Sequence, residues 1–298
     1  MRHLGKVLTA FAACAGLGVA APSSSAQINP REVSPQFLQQ LTLYAQYAAA
    51  AYCSANTNSP NTKLTCSVGN CPLVEGANTK TLAEFEDAEA FGDVAGFLAV
   101  DESNKHIVLS FRGTRSIETW AANVQFGKED VDELCDGCKV HTGFWKSWES
   151  VATATMDGVK KALQAYPGFK LAVTGHSFGG AVATLAATVL RNSGSKVELY
   201  TYGAPRVGNE EFADYVSGQG SNFRVTHSND IVPRLPPRLL GYHQISPEYW
   251  IPAGNNETVG TADIEMINEA DSDMGNAGQK TQSIEAHKWY TDHIYECK

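Results

Sequence analysis

The sequence predicts an α/β fold: a single domain whose predominantly parallel central sheet is flanked by helices. Three observations carry this. Short apolar runs rich in β-branched and aromatic residues recur along the 298-residue chain, and segments of helical period separate them. No Pro/Ser linker, charge block or fixed repeat marks a domain boundary. Brief buried strands alternating with helices call for a sheet covered on both faces.

The first segment stands outside this pattern. "MRHLGK" is basic, residues 7–21 are almost wholly apolar or small, and "SSSAQ" at 23–27 offers a small-residue cleavage site. Residues 1–26 therefore read as a signal peptide and 27–31 as a propeptide ending at Arg31, which leaves 32–298 as the domain. The expected location is extracellular. Removing residues 1–31 takes away Arg2, Lys6 and Arg31 and no acid, so the net charge moves from -9 to -12. Such a surface repels phosphate backbones, which argues against nucleic acid as a partner. No obligate protein partner is evident.

Six cysteines remain once Cys14 leaves with the leader. An even count in an exported chain suggests three disulfides, although six cysteines allow 15 pairings. Proximity favours Cys66 with Cys71 and Cys135 with Cys138, leaving Cys53 and Cys297 to tie the two ends together. Asn256-Glu257-Thr258 is a glycosylation sequon.

"GFLAVD" (96–101) and "HIVLSF" (106–111) read as a hairpin, followed by a helix over "GFWKSWESVATATMDGVKKALQAY" that Pro167-Gly168 ends. "KLAVTG" (170–175), "VELYTYG" (197–203) and "NFRVTHS" (222–228) read as further strands. Between the first two of these, "TGHSFGG" leads from strand into a helix over 178–191. Ser177 thus sits on a strand-to-helix elbow, with Gly175 and Gly179 allowing strand and helix to approach closely. That placement marks it as a nucleophile, with the helix N-terminus beneath suited to a developing anion.

A serine hydroxyl needs a base, and the base an orienting acid. Asp230, just beyond the strand 223–227, is better placed than Asp214, Asp263, Asp271 or Asp273. His243 follows too closely for another strand and loop, so the base is His287 or His293. An oxyanion hole needs two N–H donors. Phe178 would supply one and Thr114, behind Gly113, the other, though Arg112-Gly113-Thr114 also reads as a plain strand-end turn. In "SIETWAANVQF", Ile117, Trp120, Ala121 and Val124 form one apolar stripe on a short helix, either a lid or an ordinary packed helix.

"VLSFRGTRSIETW", "VTGHSFGGAVATLAA", "YTYGAPRVGN", "THSNDIVPRLPP" and "AHKWY" together resemble the fungal class 3 lipases, the Thermomyces/Rhizomucor type of α/β-hydrolase. The resemblance runs from about Glu32 to Cys297. It implies Ser177, Asp230 and His287 as the triad, Thr114 and Phe178 as oxyanion donors, and the segment around Trp120 as a lid. The cysteine spacing resembles Thermomyces-type members and supports the three pairs above. Phe178 stands where many members have Leu, and Thr114 where some have Ser. The implied function is a secreted triacylglycerol lipase, activated at a lipid–water interface and needing neither metal nor cofactor. The alternatives are a feruloyl esterase or phospholipase A1 on the same scaffold and, more remotely, a catalytically inactive lipid-binding protein.

Overall fold

The strand signals converge on one sheet. The computed structural model describes Met1 and residues 32–297 except 58, 90, 92 and 124, so all of the expected signal peptide and propeptide but Met1 lies outside the described residues. In chain order come α1 (Pro35–Ala50), α2 (Pro72–Gly76), β1 (Thr79–Asp87), β2 (Val94–Asp101) and β3 (His106–Phe111). α3 (Ile117–Asn123) and a small hairpin, β4 (Lys128–Asp130) with β5 (Lys139–His141), lead into α4 (Thr142–Ala165). Then follow β6 (Lys170–His176), α5 (Phe178–Asn192), β7 (Val197–Tyr202), α6 (Glu210–Gln219) and β8 (Asn222–His227). β9 (Glu248–Ile251) and β10 (Glu265–Ile267) complete the set.

The eight-stranded sheet runs β1-β2-β3-β6-β7-β8-β9-β10. β3, β6, β7, β8 and β9 are mutually parallel, and antiparallel strands close both edges. Helices cover both faces, as strand periodicity shows. Ser110 and Thr174 donate to the backbone of α1, whose Tyr44 stacks on Tyr200 at 3.9 Å. Phe111, one residue along and so on the opposite face, meets Trp148 of α4 at 6.4 Å. α5 is buried on nearly every side, and its small residues let it lie close against β6 and β7.

Local chemistry fixes the helix starts. The Ser34 hydroxyl accepts from Phe37 N–H at 3.1 Å, with Pro35 opening α1. The His141 Nδ1 accepts from Gly143 and Phe144 N–H at the head of α4. Three disulfides are present: Cys53–Cys297, Cys66–Cys71 and Cys135–Cys138. The first joins residues 244 positions apart, a closure that in the chain-entropy account stabilises the fold by on the order of 5 kcal/mol.

One buried ion pair holds the long loop beyond β8. The Arg206 guanidinium donates to Asp271 Oδ1 through Nε at 2.8 Å and Nη2 at 2.7 Å, both side chains being almost wholly buried. Its Nη1 donates to the carbonyls of Arg234 and Pro236. Gln244 N–H, His243 Nδ1 at 3.9 Å and Arg238 Nε at 4.0 Å complete the surroundings of the Asp271 carboxylate. Burial alone would push this carboxyl up, but Arg206 beside it holds it below its ordinary value. Asp271→Asn should therefore lower stability at neutral pH by about 3–5 kcal/mol, because it leaves a buried guanidinium uncompensated. The stabilisation is complete above the unfolded carboxyl's pKa of about 4 and is lost as pH falls through the lower folded value. Urea unfolding of both proteins should show the gap closing in acid; a gap independent of pH would contradict this account.

Candidate active site

The elbow between β6 and α5 is built by exclusion of side chains. A Cβ on Gly175 would fall 2.3 Å from the Gly179 carbonyl oxygen, and one on Gly179 would fall 2.3 Å from that of Phe111. Only glycines let α5 press this closely on β6 and on the end of β3. Ser177, between them, takes φ +59°, a left-handed conformation costly for a residue with a side chain. Its N–H donates to Tyr202 carbonyl at 2.8 Å, which fastens the elbow to β7.

Asp230 follows β8 and is fully buried. A carboxylate there needs donors, and it has three. His287 Nδ1 donates to Oδ2 at 2.7 Å, the Tyr290 hydroxyl donates to the same oxygen at 2.8 Å, and Val232 N–H donates to Oδ1 at 2.8 Å. Burial, then the carboxylate's charge, raises the Tyr290 hydroxyl well above its ordinary range, so it remains a donor. With its Nδ1 proton directed at Asp230, the neutral His287 ring presents Nε2 as an acceptor. This Nε2 and the Ser177 Oγ are both buried without a hydrogen-bond partner.

The His287 ring packs against the elbow. Its centroid lies 4.4 Å from that of His176, the residue before Ser177. A Cβ on Gly203, at the end of β7, would fall 2.7 Å from His287 Cε1 and 2.2 Å from the Tyr290 hydroxyl, so glycine there makes room for both. His176 is itself wholly buried, which lowers its pKa far below the ordinary value, and the adjoining His287 lowers it further. Its Nε2 donates to the His287 carbonyl at 2.8 Å, so its Nδ1 accepts from the Tyr52 hydroxyl at 2.7 Å. That hydroxyl lies against Gly113, where a Cβ would fall only 1.9 Å away. Three loops that come from distant parts of the chain are thereby joined behind the site.

The other candidates named from the sequence have the following surroundings. Thr114 follows Gly113 and is half-buried, with its Oγ1 accepting from Ser116 N–H at 3.3 Å. Phe178 opens α5, where N–H groups have no intrahelical partner, and packs on Phe144 at 5.9 Å. Ile117 and Trp120 of α3 face inward, Trp120 lying parallel to Phe144 at 6.2 Å. Val124 lies outside the described residues. Ser177, Asp230 and His287 are all fully buried, so the site is shut. Lys288, the residue after His287, reaches Glu118 of α3 at 3.4 Å.

The remaining candidates are engaged elsewhere. His293 lies edge-on to Trp289 and 3.8 Å from Glu296. Asp214 and Asp273 are exposed, and Asp263 accepts from Gly260 N–H. Sequence reasoning did not find Tyr290, Tyr52 or His176. Tyr290 carried a signal, a phenol three residues after the base, whereas Tyr52 carried none.

Comparison with known proteins places the chain in a family. The class 3 lipase model matches residues 108–240, and the lipase 3 N-terminal region matches residues 10–83. The secreted mono- and diacylglycerol lipase A of Penicillium cyclopium is 44% identical over 95% of this chain and 92% of its own length. Secreted mono- and diacylglycerol lipase 1 of Fusarium solani is 41% identical over 89% of this chain and 79% of its own. The solved mono- and diacylglycerol lipase of Aspergillus oryzae has a TM-score of 0.84 at 40% identity, covering 88% of this chain and 98% of that one. The chain belongs to the class 3 lipases, carboxylic ester hydrolases built on the α/β-hydrolase fold.

Proposed function

We propose that this chain is a secreted lipase that hydrolyses acylglycerols, triacylglycerol among them, with Ser177, His287 and Asp230 as its triad. The observation that carries this is the 2.7 Å Asp230–His287 bond, which leaves Nε2 unpartnered on a ring whose centroid is 4.4 Å from that of His176, the residue before Ser177, whose own hydroxyl is unpartnered too. Nε2 takes the Ser177 proton as Oγ bonds to the ester carbonyl carbon. Thr114 and Phe178 N–H groups hold the oxyanion. The imidazolium then protonates the departing alcohol as the carbon–oxygen bond breaks. Water repeats the sequence on the acyl-enzyme and releases the fatty acid. Asp230 orients the ring and stabilises its charge throughout.

α3 is the lid in this reading. Its inward Ile117 and Trp120 would turn toward lipid on opening, which favours acylglycerols over the soluble esters of a feruloyl esterase. A phospholipase A1 is disfavoured at anionic surfaces by the mature charge of -12 expected from the sequence. The names of the Penicillium and Fusarium relatives favour a second reading, in which mono- and diacylglycerols are preferred. Both are also named as secreted, and no helix among the described residues is long and apolar enough to cross a membrane.

Tributyrin hydrolysis should rise steeply once the ester exceeds its solubility limit. A flat rate through that limit, with good turnover of methyl ferulate, would sink the lipase reading. Emulsions of triolein, diolein and monoolein assayed side by side decide between the two glyceride preferences. Ser177→Ala should lower kcat by about 10⁴-fold or more, and undiminished turnover would remove the serine from the chemistry. Tyr290→Phe deprives Asp230 of a charge-assisted bond and should cost about 10- to 100-fold in kcat. An unchanged kcat would make Tyr290 a packing residue.

A further inference from the structure

His287 sits on a single helical turn, Glu285–Lys288, too short for its last carbonyls to be satisfied within it. Trp289 N–H reaches the Ala286 carbonyl only at 3.4 Å. The two carbonyls that flank the His287 Cα are instead met from outside the turn, by two imidazoles. His227 Nδ1 donates to the Ala286 carbonyl at 2.8 Å, and His176 Nε2 donates to that of His287 at 2.8 Å. Both rings are almost wholly buried. A carbonyl only accepts, so each ring carries a proton on the nitrogen that faces the turn.

The two bonds act on different peptide planes. The Ala286 carbonyl belongs to the plane before the His287 Cα, and the His287 carbonyl to the plane after it. Fixing both planes fixes φ and ψ of His287, and with them the direction of its Cα–Cβ bond. The Asp230 contact at 2.7 Å then orients the ring. The donors are also tied to the other members of the site. His176 ends β6 and precedes Ser177, while His227 ends β8, three residues before Asp230. β7 lies between them, and Gly203 at its end leaves room for the His287 ring. His227 Nε2 has no hydrogen-bond partner among the described residues, so Nδ1 is the ring's hydrogen bond to the site.

We propose that His227 and His176 are positioning residues, which together hold the backbone of His287 so that Nε2 stays within proton-transfer reach of Ser177. The proposal rests on the triad reading above. A ring held only at Nδ1 can pivot about that bond, and a misplacement of about 1 Å costs on the order of 100-fold in rate. The two imidazoles remove that freedom by acting behind the ring, on its main chain.

The test exploits the fact that asparagine places an amide N–H near the position of histidine Nδ1, and glutamine near that of Nε2. The two amides therefore predict opposite orders at the two positions. His227→Asn keeps the donor and His227→Gln loses it, so kcat on soluble p-nitrophenyl butyrate should be about tenfold or more higher in the former. At 176 the order reverses: His176→Gln keeps the donor toward His287, while His176→Asn keeps only a group facing Tyr52. KM should differ by less than about threefold within each pair, because the donors act on the base and not on ester binding. Thermal unfolding is followed in parallel. A kcat order that tracks melting temperature instead of donor position overturns the proposal, as does the same order at both positions or a change in KM in place of kcat. Should one variant fail to fold, the pair at the other position decides. His287→Ala in the same assay tests the reading beneath, and undiminished turnover would overturn the triad itself. A loss of about 10⁴-fold or more in that variant, with the amide pairs indistinguishable, leaves the triad standing and overturns the positioning role.

Discussion

The close approach of α5 to β6 is the contact on which the rest of the site depends. Nothing larger than hydrogen fits at Gly175 or Gly179, because each would-be Cβ points into a backbone carbonyl 2.3 Å away. The helix can therefore start directly against the strand ends, and Ser177 is forced into a conformation that a relaxed turn would avoid. Three consequences follow from that single approach. The hydroxyl is lifted off the strand, the first N–H groups of α5 lie beside it, and the end of β3 is brought within reach. An alanine at either glycine would push the helix away and undo all three together.

The acid and base are organised by a different principle, the cost of burying a charge. Asp230 is inaccessible to water, so its ionised form survives only by its three donors. One donor is the base itself, and another is the phenol three residues after it. The loop carrying His287 is held by its side chains and also by its backbone, since His176 donates to the His287 carbonyl. Tyr52 extends this hold to Gly113, ahead of Thr114. His287, the residue before Ser177 and the turn at Gly113 are thus held by one buried set of contacts.

Much of this was readable in the chain, for reasons that differ between elements. The parallel strands β6, β7 and β8 are buried on both faces, so they leave continuous apolar runs, and Gly175 is fixed by sterics that act within five residues. The proposal of Asp230 as the acid followed from order along the sheet. Preferring His287 to His293 was beyond periodicity and spacing, because the contact that favours it joins loops 57 residues apart. Tyr52 and His176 were invisible for the same reason: their partners are 124 and 111 residues away in sequence. β10 is three residues long and β1 carries a bulge between Thr81 and Ala83, so neither keeps an alternation long enough to recognise.

The Cys53–Cys297 bridge has a bearing on the site that its distance from Ser177 conceals. Terminal segments are ordinarily the first to fray, opening at a small fraction of the global unfolding cost. Here the terminal segment carries His287, Tyr290 and the Tyr295 ring that meets Tyr52 edge-on at 5.1 Å. The bridge ties that segment to the residue beside Tyr52, at the end of α1. Peeling away of His287, the proposed base, is thereby coupled to disruption of the core, and a peripheral stretch of chain takes on the persistence of an interior one.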